Sequence, residues 1–354
     1  MTDAVTVICN RRFHQRVKLN TQYGELSVSY ADIGCATGPV LLYLPGMFAS
    51  RYLGIPMHLI AERAGVRLLV VDRPGMGAST DVEPADRFDA WVDMVPRLLA
   101  HLTISRVNLA AHSSGTMYLF NTWARCRELI GPVVTLIAPF VDVAHSRVTS
   151  LQAAQYIPTM AFGAWHHIPR FFVTQASPVF ASSGALVRRM SMTSGLGGAS
   201  QEADRTFLDA NYRRVERDYG VPVKQSAELA RLAVEYMFAE NTVGANSEAL
   251  HCLKKVKGGD WGFCDDYAVC AKTLGARERT RKGGGRGSMT LRVFHAETDA
   301  LVGMKGQKYL EECWRNLGEG SDGVEFISRV VDGTDHDTVS QAVEVWEEIF
   351  ASIR

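Results

Sequence analysis

Four runs of strand length in this chain are apolar almost without a break: Val40 to Leu44 (VLLYL), Arg67 to Val71 (RLLVV), Val107 to Ala111 (VNLAA) and Val133 to Ala138 (VVTLIA). A strand with one face in water alternates polar and apolar residues, whereas a strand covered on both faces does not. The runs therefore predict a parallel sheet buried between two layers of helices. The segments between and after them carry the helical period. Phe88, Trp91, Val92, Val95, Leu98, Leu99 and Leu102 fall on one helix face, with Asp86 placed to cap it and Pro96 inside to kink it. Val339, Ala342, Val343, Trp346, Ile349, Phe350 and Ile353 repeat the pattern near the end of the chain. Arg16 to Leu19 and Glu25 to Ala31 are β-rich and predict a leading hairpin. Strand and helix in this alternation imply a doubly wound, mostly parallel α/β sheet.

The alternation stops after Ala138 and resumes at Thr290 to Ala296 (TLRVFHA), followed by a helix near Lys305 to Leu317 and a strand at Val324 to Val330. Residues 1–144 and 289–354 then form the core, and 145–288 a large, mainly helical lid inserted into it. The first part of the insert is apolar and aromatic, from Tyr156 to Phe172, and Gln201 to Ala239 reads as helices. Its end, Arg277 to Ser288 (RERTRKGGGRGS), is basic and glycine-rich, and is expected to be a mobile surface loop.

Composition removes several classes of function. Lys and Arg number 38 against 38 Asp and Glu, so no long-range field exists to hold a polyanion, and nucleic acid is not an expected partner. No apolar run approaches membrane-spanning length, and the first residues have no signal-peptide pattern, which leads to the expectation of a cytoplasmic protein. The seven cysteines are scattered, without the close pairs of zinc or redox motifs, and are expected to be reduced thiols holding no metal.

Chemistry concentrates after the VNLAA strand, at Ala111-His112-Ser113-Ser114-Gly115, with a helical pattern following at once. A nucleophile on a sharp strand-to-helix turn needs small residues two before and two after it, because those positions come against the neighbouring strand and helix. Ala111 and Gly115 meet that need, with Ser113 at the apex. The helix N-terminus there offers free N–H groups to an anionic intermediate.

Placed with five other landmarks in chain order, this motif resembles the α/β-hydrolase superfamily, in its lid-bearing branch of esterases, lipases, epoxide hydrolases and related enzymes. The others are Leu44-Pro45-Gly46-Met47, Asp72-Arg73-Pro74-Gly75-Met76-Gly77-Ala78-Ser79, the insert itself, Glu297-Thr298-Asp299-Ala300-Leu301-Val302 and Gly333-Thr334-Asp335-His336-Asp337. Trp261-Gly262-Phe263-Cys264-Asp265-Asp266-Tyr267 is also similar to a segment of filamentous-fungal members. The resemblance implies Ser113 as nucleophile, His336 as general base and Asp299 as the acid that orients it. Those residue types suit the task, since a serine hydroxyl needs an imidazole to take its proton and the imidazole needs a carboxylate on its other nitrogen. Glu297 and Asp142 compete with Asp299 for the acid, both standing near strand ends. His112 is expected to point away and be structural, as is Asp72, and His166 and His167 to be rim residues. The oxyanion hole is expected from the backbone N–H groups of Met47 and Ser114, although Pro45 stands where family members commonly carry His. The loop from Asp72 to Ser79 should form the opposite wall and bind no phosphate.

A serine hydrolase for a carboxylic ester, lactone or thioester follows, acting through an acyl-enzyme on a small molecule with a sizeable apolar part. Phe162 and Trp165 are the candidate lining residues in the lid. No cofactor is needed. An acyltransferase or a chain-releasing or cyclising enzyme of natural-product biosynthesis would use the same three residues, and a non-catalytic ligand-binding protein of the same fold is the third possibility.

Overall fold

A computed structural model describes residues 3–167, 197–283, 288–317 and 323–354. Its centre is an eight-stranded sheet in the order β1-β2-β4-β3-β5-β6-β7-β8. The strands are β1 (Gln15–Thr21), β2 (Gly24–Gly34), β3 (Val40–Leu44), β4 (Arg67–Val71), β5 (Val107–His112), β6 (Ile130–Ile137), β7 (Met289–Thr298) and β8 (Val324–Asp335). β1 and β2 form the expected hairpin, and β2 meets β4 antiparallel; from β4 to β8 every pairing is parallel. Side chains alternate between two buried layers even where the sequence does not alternate in polarity. Leu42 and Leu44 join one apolar cluster, while Leu41 and Tyr43 join the other on the opposite face. Continuous apolar strands were expected for this reason.

The helices are α1 (Ala4–Ile8), α2 (His58–Arg63), α3 (Arg87–His101), α4 (Gly115–Arg125), α5 (Val143–Ser146), α6 (Thr149–Ala154), α7 (Gly197–Tyr219), α8 (Val223–Ala239), α9 (Gly244–Cys252), α10 (Tyr267–Gly283), α11 (Gly303–Arg315) and α12 (Val343–Ser352). Those from α5 to α10 lie between β6 and β7, so the insert is mainly helical. No described helix is long and apolar enough to cross a membrane.

Two expectations change. Asp86 makes no side-chain bond to the start of α3; it ends a 3-10 turn, Pro84–Asp86, that runs directly into the helix. Helix α3 continues through Pro96 to His101. Pro96 has no N–H for the Val92 carbonyl, and Cys126 Sγ lies 3.6 Å from that oxygen as a substitute donor. Most of the basic stretch expected to be a loop is helical: residues 277–283 are the last turns of α10, and 284–287 lie outside the described residues. Its side chains reach the core: Arg281 pairs with Glu128 at 2.8 Å, and one carboxylate is buried. Glu278 is buried and accepts hydrogen bonds from Trp123 Nε1 at 3.0 Å and Arg127 Nη2 at 2.8 Å, which composition alone does not reveal.

Two buried arginines fasten the insert to the core. Arg51, before α2, pairs with Asp72 at 2.6 Å and with Glu240, at the end of α8, at 2.6 Å. Arg73 pairs with Glu248 of α9 at 2.6 Å. Main chain adds to this, with Gly77 N–H donating to Asn241 O at 2.8 Å and Gly244 N–H to Gly75 O at 2.9 Å. A Cβ on Gly244 would lie 2.3 Å from the Pro74 carbonyl oxygen, so only glycine allows the two loops to meet.

Candidate active site

β5 ends at His112 and α4 begins at Gly115, leaving Ser113 and Ser114 to make the whole reversal. Ser113 has φ of 51°, a left-handed conformation that a side chain adopts only when its surroundings force it. Here they do. Its N–H donates to Ile137 O at 3.1 Å, and its carbonyl accepts from Phe140 N at 3.2 Å and Thr116 N at 3.0 Å. The expected demand for small neighbours is visible at Gly115, where a Cβ would lie 2.1 Å from Leu44 O.

Two loops from the far side of the sheet order meet this turn. His336 follows β8 directly, and Asp299 follows β7. His336 Nε2 lies 2.8 Å from Ser113 Oγ, and His336 Nδ1 lies 2.8 Å from Asp299 Oδ2. The other Asp299 oxygen accepts from the N–H groups of Leu301 at 2.9 Å and Val302 at 2.8 Å, which fixes the carboxylate. Asp335 Oδ1 in turn accepts from Thr338 N at 2.8 Å and Asp337 N at 3.1 Å, closing a turn around His336. Of the sequence candidates, Ser113, His336 and Asp299 are thus brought together.

Burial disfavours the charged imidazolium of His336, yet the adjacent Asp299 carboxylate and its hydrogen bond outweigh that and raise it to about 9. Burial likewise pushes the Asp299 carboxyl up, while His336 and the two backbone donors pull it below its ordinary value. The pair favours its charged form in both directions.

His112 does not point away from the site, as the sequence suggested. Its ring centroid lies 5.1 Å from that of His336, and its Nε2 is 2.8 Å from the His336 carbonyl oxygen, so Nε2–H donates there. Burial, reinforced by His336, lowers it to about 3 and keeps it neutral. It holds the backbone of the His336 loop. The rival acids are engaged elsewhere: Glu297 accepts from Gly333 N at 2.6 Å, and Asp142 accepts from Ala144 N at 2.9 Å as the cap of α5. Asp72 is buried and accepts from Ser29 Oγ at 2.5 Å and Arg51 N at 2.6 Å, in keeping with a structural role.

Met47 lies in a tight turn after β3, closed by Ala49 N–H donating to Gly46 O at 3.0 Å, with Phe48 at φ of 65°. A Cβ on Gly46 would lie 3.0 Å from Ser113 Cβ, which shows how closely this loop approaches the serine. Among the described residues, neither the Met47 nor the Ser114 amide hydrogen has an acceptor. In the insert, Phe162 is fully buried in the apolar core, on a 3-10 turn (Thr159–Ala164) that packs against α9, and Trp165, partly buried, packs beside it with ring centroids 5.6 Å apart. His166 N–H donates to Asn246 Oδ1 at 2.8 Å, and the His167 ring lies tilted against that of His166, with centroids 3.9 Å apart.

Sequence reading passed over Arg73 and Glu248. Arg73 stands inside a glycine-rich loop that reads as a wall, and nothing in the sequence links Glu248 to it across 175 positions.

A family model described as alpha/beta hydrolase fold matches residues 39–164. No curated protein matches the chain in sequence. Among solved structures, a carboxylesterase of the ammonia-oxidizing thaumarchaeon Nitrososphaera gargenis aligns over 95% of this chain and 97% of its own, at 14% identity and a TM-score of 0.55. An esterase from a Rhodococcus species aligns over 96% and 98%, at 16% identity and a TM-score of 0.53. The thioesterase domain from the curacin biosynthetic pathway aligns over 96% and 99%, at 11% identity and a TM-score of 0.53. With its strand order, its strained turn after β5 and this likeness across nearly the whole length, the chain is an α/β-hydrolase-fold protein.

Proposed function

We propose that the protein is a serine hydrolase that cleaves a carboxylic ester, lactone or thioester through an acyl-enzyme. The observation that carries this reading is the unbroken line of two 2.8 Å contacts from Ser113 through His336 to Asp299. In neutral His336 the proton sits on Nδ1, facing Asp299, and Nε2 accepts from the Ser113 hydroxyl. Ser113 Oγ attacks the substrate carbonyl carbon as its proton passes to Nε2, and the carbonyl electron pair moves to oxygen. The N–H groups of Met47 and Ser114 receive that oxyanion, and Asp299 stabilises the imidazolium. Collapse expels the alcohol or thiol, which takes the proton from His336, and water repeats the sequence to release the acid. Esterase and thioesterase names among the similar structures agree with both leaving groups.

A substrate with an apolar part fits an insert whose Phe162 and Trp165 stand on the core, residues 145–288 acting as the lid. Replacing Ser113 by Ala should abolish labelling by a fluorophosphonate probe and reduce turnover of an activated ester to background. The melting temperature should hold, because removing one hydroxyl from the turn opens no cavity in the core. Labelling that persists in the variant would overturn the assignment. Acyl transfer uses the same three groups, so incubating acyl-enzyme with a competing alcohol or amine and analysing products separates transfer from hydrolysis.

A further inference from the structure

Gly46 and Met47 share one peptide unit, so whatever holds the Gly46 carbonyl also aims the Met47 N–H in the opposite direction. Two donors hold that carbonyl: Ala49 N–H at 3.0 Å, within the turn, and Arg73 Nη2 at 2.7 Å. Arg73 Nη1 donates to the preceding carbonyl, that of Pro45, at 2.5 Å. The guanidinium thus grips two successive peptide units of the loop from behind.

Arg73 is itself held from the insert. It is fully buried, and its Nε and Nη2 donate to the two oxygens of Glu248 at 2.6 and 3.0 Å. Glu248, on α9, is equally buried, and also accepts from Tyr118 Oη at 3.3 Å. Arg87, 3.6 Å from Glu248, completes the cluster and is tied in turn to Tyr118 Oη at 2.6 Å. A lone guanidinium in this setting would be costly to bury, so Glu248 fixes where it sits. The next residue of the loop shows the same dependence. Phe48 carries a left-handed backbone at the turn position that favours glycine, and its buried ring rests 6.1 Å from that of Phe238 on α8.

We infer that the insert completes the oxyanion hole, with Glu248 and Arg73 as positioning residues that orient and polarise the Met47 amide from outside the substrate pocket. The inference rests on the hydrolase reading above. A charge behind the carbonyl strengthens the dipole of the shared peptide, and a bidentate grip keeps it from rotating as negative charge arrives on the substrate oxygen. It also explains how Pro45 can stand where a histidine is usual: the contacts on this loop come from Arg73 instead.

The test is Glu248→Gln in the full-length protein, with an activated ester as substrate and an alkyl trifluoromethyl ketone as probe. The ketone adds Ser113 Oγ at its carbonyl carbon, so its affinity reads the oxyanion hole. The variant should lose about ten- to a hundredfold in kcat, with KM within about twofold, somewhat less than the roughly hundred- to thousandfold cost of removing a donor outright. Ketone affinity should fall by the same factor as kcat/KM, the pH midpoint should stay where it is in the parent, and Glu248→Asp should restore part of the loss. If Glu248→Gln does not fold, the pair Arg73→Met with Glu248→Met replaces the ion pair by apolar volume, and the same split is expected. A folded variant whose kcat and ketone affinity match the parent overturns the inference and leaves the hydrolase reading standing. A parent protein that neither turns over esters nor binds the ketone overturns both.

Discussion

In the sheet, each residue is placed by its near neighbours. Leu42 and Leu44 face one layer and Leu41 and Tyr43 the other because a strand sends successive side chains to opposite faces. The insert also buries apolar residues, Leu232, Met237 and Phe238 among them, but adds polar contacts between residues far apart in the chain: Glu240 to Arg51, Glu248 to Arg73, Glu278 to Trp123 and Arg127. The first kind of order is periodic and local, and the second is neither. Apolar burial spreads its contribution over many contacts, whereas a buried ion pair concentrates it in one, since removing one partner leaves a charge uncompensated. The proposed chemistry draws on both: Ser113, His336 and Asp299 stand on strand ends of the sheet, and the loop carrying Met47 is gripped through the insert.

The largest effects on activity should fall on the three residues at the strand ends. Asp299→Asn should lower kcat by about a thousandfold to ten-thousandfold, because an amide can neither fix the His336 tautomer nor stabilise its imidazolium. Glu297→Gln and Asp142→Asn should stay within a few-fold of the parent, since both carboxylates are spent on backbone N–H groups away from His336. In the parent, activity should rise with pH as the neutral base form of His336 accumulates. Its midpoint should lie above the ordinary imidazole value of about 6.5, shifted toward about 9 by Asp299. Asp299→Asn should bring any residual midpoint down, because the attraction is lost while burial, which favours the neutral ring, remains. A parent midpoint at or below 6 in kcat/KM measurements would contradict this electrostatic account.

That part of the site was legible because its signals are short and ordered. A small residue two positions to each side of Ser113, and an acid and a histidine each a few residues after an apolar run, are patterns that one sequence contains. The strand limits were found to within a few residues, except that β8 runs on to Asp335, five residues past the apolar stretch. His112 was misjudged because adjacency to Ser113 says nothing of a carbonyl 224 positions away. The insert was readable as helical in its middle, from the spacing of Gln201 to Ala239, but its fastenings were not. Glu278 sits in a run of basic residues and glycines whose composition describes a loop, and its burial against Trp123 and Arg127 depends on residues about 150 positions away.

Substrate choice should separate the insert from the core by a smaller margin. If Trp165 lines the acyl pocket, Trp165→Ala should raise KM for a long apolar ester by about tenfold and leave an acetyl ester nearly unaffected, since a short acyl group never reaches the lost surface. Phe162 is fully buried in the apolar core, and Phe162→Ala should instead cost about 3 to 5 kcal/mol of stability through the cavity it leaves. Thermal melts run beside kcat/KM for both esters distinguish the two behaviours. Equal loss on both esters with a lowered melting temperature for Trp165→Ala would place that residue in the packing of the insert and not at the substrate.

The smallest expected effect reverses what the sequence alone suggested about two aspartates. Asp86 precedes a clear helical pattern and looks like its cap, yet it makes no capping bond, is exposed and ends a 3-10 turn that already leads into α3. Asp142 looked like a rival catalytic acid, yet its carboxylate accepts from Ala144 N at 2.9 Å and starts α5, the helix that leads from the core into the insert. Asp86→Ala should therefore change stability by no more than about 0.5 kcal/mol, the range of an exposed site with no special contact. Asp142→Ala should cost about 1 kcal/mol, because it strips a helix N-terminus of its acceptor, and Asp142→Asn should recover most of that, since asparagine caps as well as aspartate. Denaturant midpoints of the three variants, compared at constant slope, measure the difference. An Asp86→Ala loss exceeding that of Asp142→Ala would mean that helix starts in the core are held by their caps, and that the contrast between a core ordered by apolar burial and an insert that adds single polar contacts fails at its simplest point.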